Sequence, residues 1–341
     1  MMTQIVKAQQ EWLEKARELI LNGEVVAFHT ETVYGLGASA FDDCAVQKIF
    51  ALKGRPCDNP LIAHVHSEYD IAPLVDYVPD YAKRLSKVFL PGPLTMVYPS
   101  TGKVSPFVSC GLNTLAIRVP SSSTAQAFLR EVNLPIAAPS ANKSKHVSPV
   151  TAQHVYDDFQ GEIPLILDGG ACEGGIESTV LDCTGEFPVI LREGLITRKM
   201  IASAVGRCGV YEKKAGDKPK SPGMAYRHYS PKCRTAYFSC GERDKAVALF
   251  REEESRGGKP YLLIESGRAE EFAGFGASVL LLGGTGEEMA QKLYAHLRAA
   301  EEIATLLICV EPTLRGGVMA GVMNRLTRAF STEESSSGDE K

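Results

Sequence analysis

One basic, proline-studded stretch divides this chain, and it limits the fold more than any other feature. Residues 212–233 (EKKAGDKPKSPGMAYRHYSPKC) carry six Lys/Arg against two Asp/Glu and hold Pro219, Pro222 and Pro231. Their apolar content is too sparse and unperiodic for a core element. On either side the balance reverses: residues 1–207 carry 18 Lys/Arg and 22 Asp/Glu, and residues 234–341 carry 13 and 17. A length of 341 residues, at about 150 per domain, agrees with two folding units. The net charge of −4 excludes a chain that coats nucleic acid over its whole surface, so a polyanion must be met by a local patch. The stretch differs from an ordinary Gly/Ser-rich or acidic tether, since it also holds Met224, Tyr226, His228 and Tyr229. A solvated spacer is the plain alternative.

The leading part reads as mixed α/β. Short apolar runs predict strands at Val25–Phe28, Leu61–Val65, Leu94–Tyr98, Leu115–Val119, Leu134–Ala138, Leu165–Leu167, Ser178–Asp182 and Val189–Leu191. Thr30–Gly37 reads as a turn. Asp42 or Asp43 caps a helix through Val46, Ile49 and Phe50 that stops at Gly54; another spans Tyr81–Phe89; Ser148 and Pro149 open a third. Seven or eight strands against about five helices predict one open twisted sheet. After the basic stretch, strands at Thr235–Phe238, Tyr261–Ile264, Ser278–Leu282 and Leu306–Val310 alternate with helices at Asp244–Glu254, Glu287–Ile303 and Val318–Phe330. That alternation predicts a small parallel sheet. The final residues 331–341 (STEESSSGDEK) can bury nothing and read as a disordered tail.

Several polar clusters fall at strand ends, where open α/β sheets bind anions. Lys53-Gly-Arg-Pro-Cys-Asp-Asn-Pro pairs a point charge, Lys53, with the planar fork of Arg55 in a stiff loop. A solvated helix end also favours cations, so this loop alone does not decide. Pro139-Ser-Ala-Asn-Lys-Ser, Gly175-Ile-Glu-Ser-Thr-Val and Leu191-Arg-Glu-Gly place small hydroxyls and Arg192 at strand ends. Arg118 interrupts an apolar strand, and burial demands a carboxylate or phosphate beside it. His64 lies on the strand after the Lys/Arg loop.

Other chemistries lack their residues. No G-x-x-x-x-G-K-[ST], G-x-G-x-x-G, G-x-S-x-G or H-E-x-x-H occurs. Gly283-Gly-Thr-Gly reads as a helix-start turn. Nine scattered cysteines without C-x-x-C read as thiols of a reducing compartment. Trp12 reads as a packing residue. No signal peptide or membrane span is predicted, and the unpaired thiols read as those of a cytoplasmic protein.

Taken together, His-Thr-Glu-Thr-Val-Tyr-Gly-Leu-Gly at 29–37, Lys-x-Arg-Pro at 53–56, Asn-Pro-Leu-Ile at 59–62, Pro-Gly-Pro-Leu-Thr at 91–95, Ile-Arg-Val-Pro at 117–120, Pro-Ser-Ala-Asn at 139–142, Glu-Ser-Thr-Val at 177–180 and Leu-Arg-Glu-Gly at 191–194 closely resemble the threonylcarbamoyl-adenylate synthase family. Ser221-Pro-Gly-Met-Ala-Tyr-Arg-His-Tyr-Ser-Pro resembles the linker of its long, two-domain form, although Ala225 stands where a basic residue is common. The resemblance implies an open twisted mixed sheet with helices (YrdC-like) over 1–211. It further implies a basic linker or lid over 212–233 and a smaller Rossmann-like parallel α/β domain over 234–330.

The implied activity joins L-threonine, bicarbonate and ATP, with Mg²⁺, into L-threonylcarbamoyl-AMP and pyrophosphate. Its product feeds a transferase machinery that modifies adenosine beside the tRNA anticodon, with tRNA a further candidate partner. Carried over motif by motif, Thr32, His64, Arg118, Ala138 and Ser178 match threonine-holding positions. Arg55, Asn59, Thr114, Ser140, Ser148, Arg192 and Tyr229 match ATP-holding positions, and Lys53 stands beside the phosphates. Lys53 and Arg55 are the expected catalytic pair, acting by charge rather than as nucleophiles. A different class, an RNA-binding protein with a basic concave face, is opposed by the net acidic leading part. A factor using carbamoyl phosphate commonly carries paired C-x-x-C units, which this chain lacks.

Overall fold

A computed structural model describes residues 2–212 and 229–330. The chain separates into two compact units, Met1–Ser144 with Ser148–Tyr226, and Lys145–Val147 with Arg227–Lys341. Most of the expected lid and all of the expected tail lie outside the described residues.

The first unit runs β1 (Gln4–Lys7), α1 (Gln10–Leu21), β2 (Val26–Phe28), β3 (Gly35–Ser39), α2 (Asp43–Lys53), β4 (Ile62–His64), α3 (Asp80–Phe89), β5 (Leu94–Pro99), α4 (Pro106–Ser109), β6 (Thr114–Arg118), α5 (Ser123–Val132), β7 (Ile136–Ala138), α6 (Ala152–Phe159), β8 (Leu165–Asp168), β9 (Thr179–Asp182), β10 (Val189–Arg192), α7 (Arg198–Val205) and β11 (Gly209–Val210). Its strands form one mixed sheet ordered β1-β8-β2-β3-β7-β4-β6-β5-β9-β10-β11. The described residues thus supply eleven strands, more than the sequence predicted. The extra ones are β1, β3 and β11. β1 is an edge strand with exposed Ile5 and no apolar signature, and β3 begins inside the expected turn and runs two residues past it, with small residues that accept the close ring of Phe28.

Helices α1 and α5 cover one face through Leu13, Ile20, Phe128 and Leu129, packed on Phe28, Ile136 and Leu165 with Trp12 at the margin. That apolar surface excludes water over β8, β2, β3 and β7, and its burial is the main driving force for this half of the unit. Across β4, β6, β5, β9 and β10 a second apolar patch forms from Ile62, Ala116, Val97, Val180 and Leu191.

The expected helix start at Ser148–Pro149 is corrected. α6 begins at Ala152 and is capped by Thr151, whose side chain accepts from the His154 N–H. The reason is competition for the backbone: the carbonyl of Pro149 accepts from Tyr34 N at 2.9 Å and that of Val150 from Cys172 N at 2.9 Å. Carbonyls spent on neighbouring segments cannot start a helical ladder.

The second unit contains β12 (Arg234–Phe238), α8 (Arg243–Ser255), β13 (Pro260–Ile264), a 3₁₀ segment (Ser266–Ser278), β14 (Val279–Leu281), α9 (Gly286–Ile303), β15 (Leu306–Val310) and α10 (Met319–Phe330). Its four strands are all parallel in the order β12-β15-β13-β14. Phe250, Leu262, Phe272 and Ile308 form its core. Thr285 caps α9 by accepting from Glu288 N, so the glycine-rich turn is a helix start. The mixed sheet with a second, smaller parallel sheet is the architecture expected from the sequence.

Candidate functional site

Strand pairing sets a row of polar side chains on one face of the large sheet. His64 of β4 pairs directly with Arg118 of β6, and Arg118 with Thr95 of β5. Directly paired residues share a face, and alternate residues along a strand return to it. His64, Arg118 and Thr95 therefore share the face of Ile62, Ala116 and Val97. Thr114, which opens β6, lies on it too, and Ala138 closes β7 opposite Ile62.

Ser178 immediately precedes β9, and its hydroxyl lies 2.8 Å from that of Thr95. A β-bulge between Ile190 and Arg192 re-aims the end of β10. Leu191 joins the apolar patch, while Arg192 Nε and Nη2 donate to the Ser178 carbonyl at 3.2 and 3.0 Å and Nη2 to its hydroxyl at 3.2 Å. Gly194 makes this approach possible. A Cβ there would lie 2.5 Å from Thr179 N and 2.8 Å from Glu177 O, backbone atoms with no flexible end to yield.

Burial decides the charges. His64 is held with Nδ1 3.1 Å from the Ile62 carbonyl, and burial, followed by the charge of Arg118, pushes its pKa down to about 3. At neutral pH it is an uncharged imidazole, adding polarity without repelling the guanidinium. Arg118 is 4% exposed; its Nη2 donates to Glu31 Oε1 at 2.8 Å, while Nε is buried without a partner among the described residues. The carboxylate that the sequence demanded is thus the chain's own, and one donor is left for another acceptor. Thr32 is fully buried beside them, its hydroxyl 3.0 Å from that of Thr30.

A second cluster surrounds the loop after α2. Gly54 ends the helix in the left-handed region, φ +61°, and a glycine avoids the Cβ penalty of that conformation. Lys53 is buried and donates from Nζ to the carbonyls of Ser140, at 2.6 Å, and Asn142. Arg55 folds back on its own loop, Nε and Nη2 reaching Asn59 O at 3.2 and 3.1 Å and Nη2 reaching Pro60 O at 3.2 Å. Asn59 is fully buried, yet neither its Nδ2 nor its Oδ1 has a partner among the described residues. Ser140 Oγ donates to Asn142 Oδ1 at 2.5 Å, and Ser148 Oγ to the buried Glu177 Oε1 at 2.7 Å, which ties this loop to the Ser178 strand.

The first unit therefore gathers Thr32, His64, Arg118 and Ser178 with Arg192, and beside them Lys53, Arg55, Asn59, Ser140 and Ser148. Tyr229 belongs to the second unit, where it is buried and stacks on Tyr294 at 5.3 Å between ring centroids. Sequence reasoning did not single out Glu31, Thr95, Asn142 or Glu177. All four lie inside the quoted motifs, but a motif does not say which of its residues turns inward. Among the described residues no three His, Cys, Asp or Glu side chains converge as a metal site. All nine cysteines are free. Burial, and then the charge of Glu31, raises the pKa of the Cys172 thiol and keeps it protonated. The cluster offers positioned donors and charge, not a covalent nucleophile.

The comparisons with known proteins agree along the chain. The family model described as "Telomere recombination" matches residues 18–194, and the one described as "Threonylcarbamoyl-AMP synthase, C-terminal domain" matches residues 196–331. Threonylcarbamoyl-AMP synthase of Pyrococcus abyssi is 40% identical over 331 residues, covering 94% of this chain and 94% of that protein. The Bacillus subtilis enzyme of that name is 41% identical over 324 residues, covering 93% and 92%. A crystal structure of P. abyssi Sua5 complexed with L-threonine matches with a TM-score of 0.87 at 38% identity, covering 96% of this chain and 97% of that one. With one model on each part of the chain and relatives matched over nearly their whole length, the chain belongs to the threonylcarbamoyl-AMP synthase family.

Proposed function

We propose that this protein condenses L-threonine, bicarbonate and ATP into L-threonylcarbamoyl-AMP with release of pyrophosphate. The observation that carries the reading is the buried Arg118, whose Nε lacks a partner among the described residues and which pairs directly with a neutral His64 on one neighbouring strand and on the other with Thr95, the hydroxyl partner of Ser178. Such a pocket suits an amino acid with a carboxylate and a hydroxyl. The L-threonine in the P. abyssi Sua5 crystal structure supports the same choice.

The threonine amine bonds to the carbon of CO₂, formed from bicarbonate by loss of water as a C–O bond breaks, and gives up a proton to leave a carbamate. A carbamate oxygen then forms a bond to the α-phosphorus as the bond to pyrophosphate breaks, and pyrophosphate carries away the electron pair. In this reading Arg118 holds the carboxylate, and Ser178 with His64 reads the hydroxyl. Lys53, Arg55 and Arg192 supply positive charge at the phosphates from fixed positions. Asn59, Thr114, Ser140 and Ser148 orient the nucleotide. The described residues do not form a protein cage for Mg²⁺. An ion arriving with ATP is expected on the phosphate oxygens.

Release of the product to a threonylcarbamoyl-transferase acting on tRNA adenosine would follow, giving N6-threonylcarbamoyladenosine. No described helix is long and apolar enough to cross a membrane, and a cytoplasmic location fits that role. The deciding experiment is pyrophosphate release from ATP with and without threonine and bicarbonate. Release that depends on both supports the reading, and release indifferent to threonine overturns it.

A further inference from the structure

The carboxylate of Glu31 is held at both oxygens. Oε1 accepts from Arg118 Nη2 at 2.8 Å, and Oε2 accepts from the backbone N–H of Ser121 at 3.1 Å. Its backbone is pinned as well: Gly174 N donates to the Glu31 carbonyl at 2.7 Å, and a Cβ on Gly174 would lie 2.9 Å from that oxygen. Glu31 is thus anchored by main-chain donors from two separate segments, and among the described residues the side chain bonded to its carboxylate is the guanidinium. Neither His64 nor Cys172 carries a charge that competes with this pair. Burial and the charge of Arg118 keep His64 neutral, and burial keeps the Cys172 thiol protonated.

Arginine presents its donors in a rigid planar fork. Anchoring one Nη restricts how that plane can turn, and with it the line of the buried Nε–H that has no partner among the described residues. We propose that Glu31 is a positioning residue for amino-acid binding. It clamps one Nη of Arg118 so that the remaining edge of the guanidinium stands ready for the substrate carboxylate before the substrate arrives. The gain is pre-organisation: an arginine already immobilised loses less side-chain entropy when it captures the carboxylate. The opposite arrangement is also conceivable chemically, with Glu31 competing with the substrate for the cation, and the two make opposite forecasts.

This inference rests on the threonine reading above, and the test separates the two. L-threonine and, separately, ATP are titrated calorimetrically into the full chain, into Glu31→Gln and Glu31→Ala, and into Arg118→Ala and the Glu31→Ala/Arg118→Ala double variant. Gln offers one acceptor oxygen to two donors, so it retains at most one of the contacts and protects the fold. The expected result is threonine affinity weakened about tenfold in Glu31→Ala, equivalent to roughly 1.4 kcal/mol, and less in Glu31→Gln, with ATP affinity unchanged. In steady state the threonine KM rises while kcat at saturating threonine is nearly kept. Once Arg118 is removed, Glu31→Ala adds no further loss. Unchanged or tighter threonine binding in Glu31→Gln overturns the proposal, as do additive losses in the double variant or loss of ATP and threonine binding together. An unaltered chain that binds no threonine overturns the functional reading and this inference with it. Normal threonine binding by the chain and by both Glu31 variants overturns the inference alone.

Discussion

Lys53 Nζ donates to the carbonyl of Ser140 at 2.6 Å, joining residues 87 positions apart in the chain. A cation at a helix end has ordinarily been left to water, yet this one is buried and grips the loop that leaves β7. It thereby holds Ser140 and Asn142 in place while keeping its charge beside them.

Lys53→Ala is expected to cut pyrophosphate release about tenfold or more, with near-native circular dichroism. Because one buried and one part-buried carbonyl lose this donor, the melting temperature should fall too, by an amount corresponding to about 1–3 kcal/mol. Wild-type turnover in this variant would remove Lys53 from the reaction.

Asn59→Leu keeps the branching and heavy-atom count of the side chain and deletes two buried polar atoms that have no partner among the described residues. An unsatisfied buried amide costs about 1–3 kcal/mol, so the variant should melt at the same temperature or higher. Its ATP KM should rise steeply in the same preparation. A drop in melting temperature with normal ATP use would contradict the nucleotide role given to this residue.

Gly194→Ala forces a methyl against Thr179 N and Glu177 O. Repacking of this kind costs about 1–3 kcal/mol, and the displaced Ser178 should raise the threonine KM. Thermal denaturation and threonine titration check both parts; an unshifted melting curve would show that the β9–β10 junction yields freely.

Acid should weaken the fold before the carboxylates titrate. The folded-state pKa of His64 is depressed to about 3, chiefly by burial, and burial lowers that of His29 as well. Below about 6.5 the unfolded chain protonates these rings while the folded chain does not. Stability is therefore lost as pH falls from about 6.5, at up to about 1.4 kcal/mol per pH unit for each such histidine. Urea unfolding between pH 6.5 and 5 should show the slope for the native chain and a shallower one for His64→Gln. Equal slopes would mean that His64 is solvated.

The motifs were legible because each chemistry needs particular residue types close together. Arg118 in an apolar strand announced a buried cation, and the prediction of an anionic partner was met by Glu31. The identity of that partner was not legible: Glu31 lies 87 residues away, one of several acids, and only the pairing of β4 with β6 and the loop after β2 brings it within reach. Thr95 was invisible for the same reason, since nothing local distinguishes it from any strand threonine until β9 lies beside β5. Ser148 was misread because its N-cap chemistry is local, whereas the Glu177 carboxylate that claims its hydroxyl is remote.

Residue types and their short-range spacing decided the two-unit organisation, most strands and the motif loops, because charge balance, alternation and turn chemistry act over a few neighbouring positions. Which side chains face one another, which lysine is spent on a carbonyl and which amide stays unpartnered were decided by long-range strand order. Those choices follow from burying the apolar faces of eleven strands at once, a condition that no local window of the chain contains.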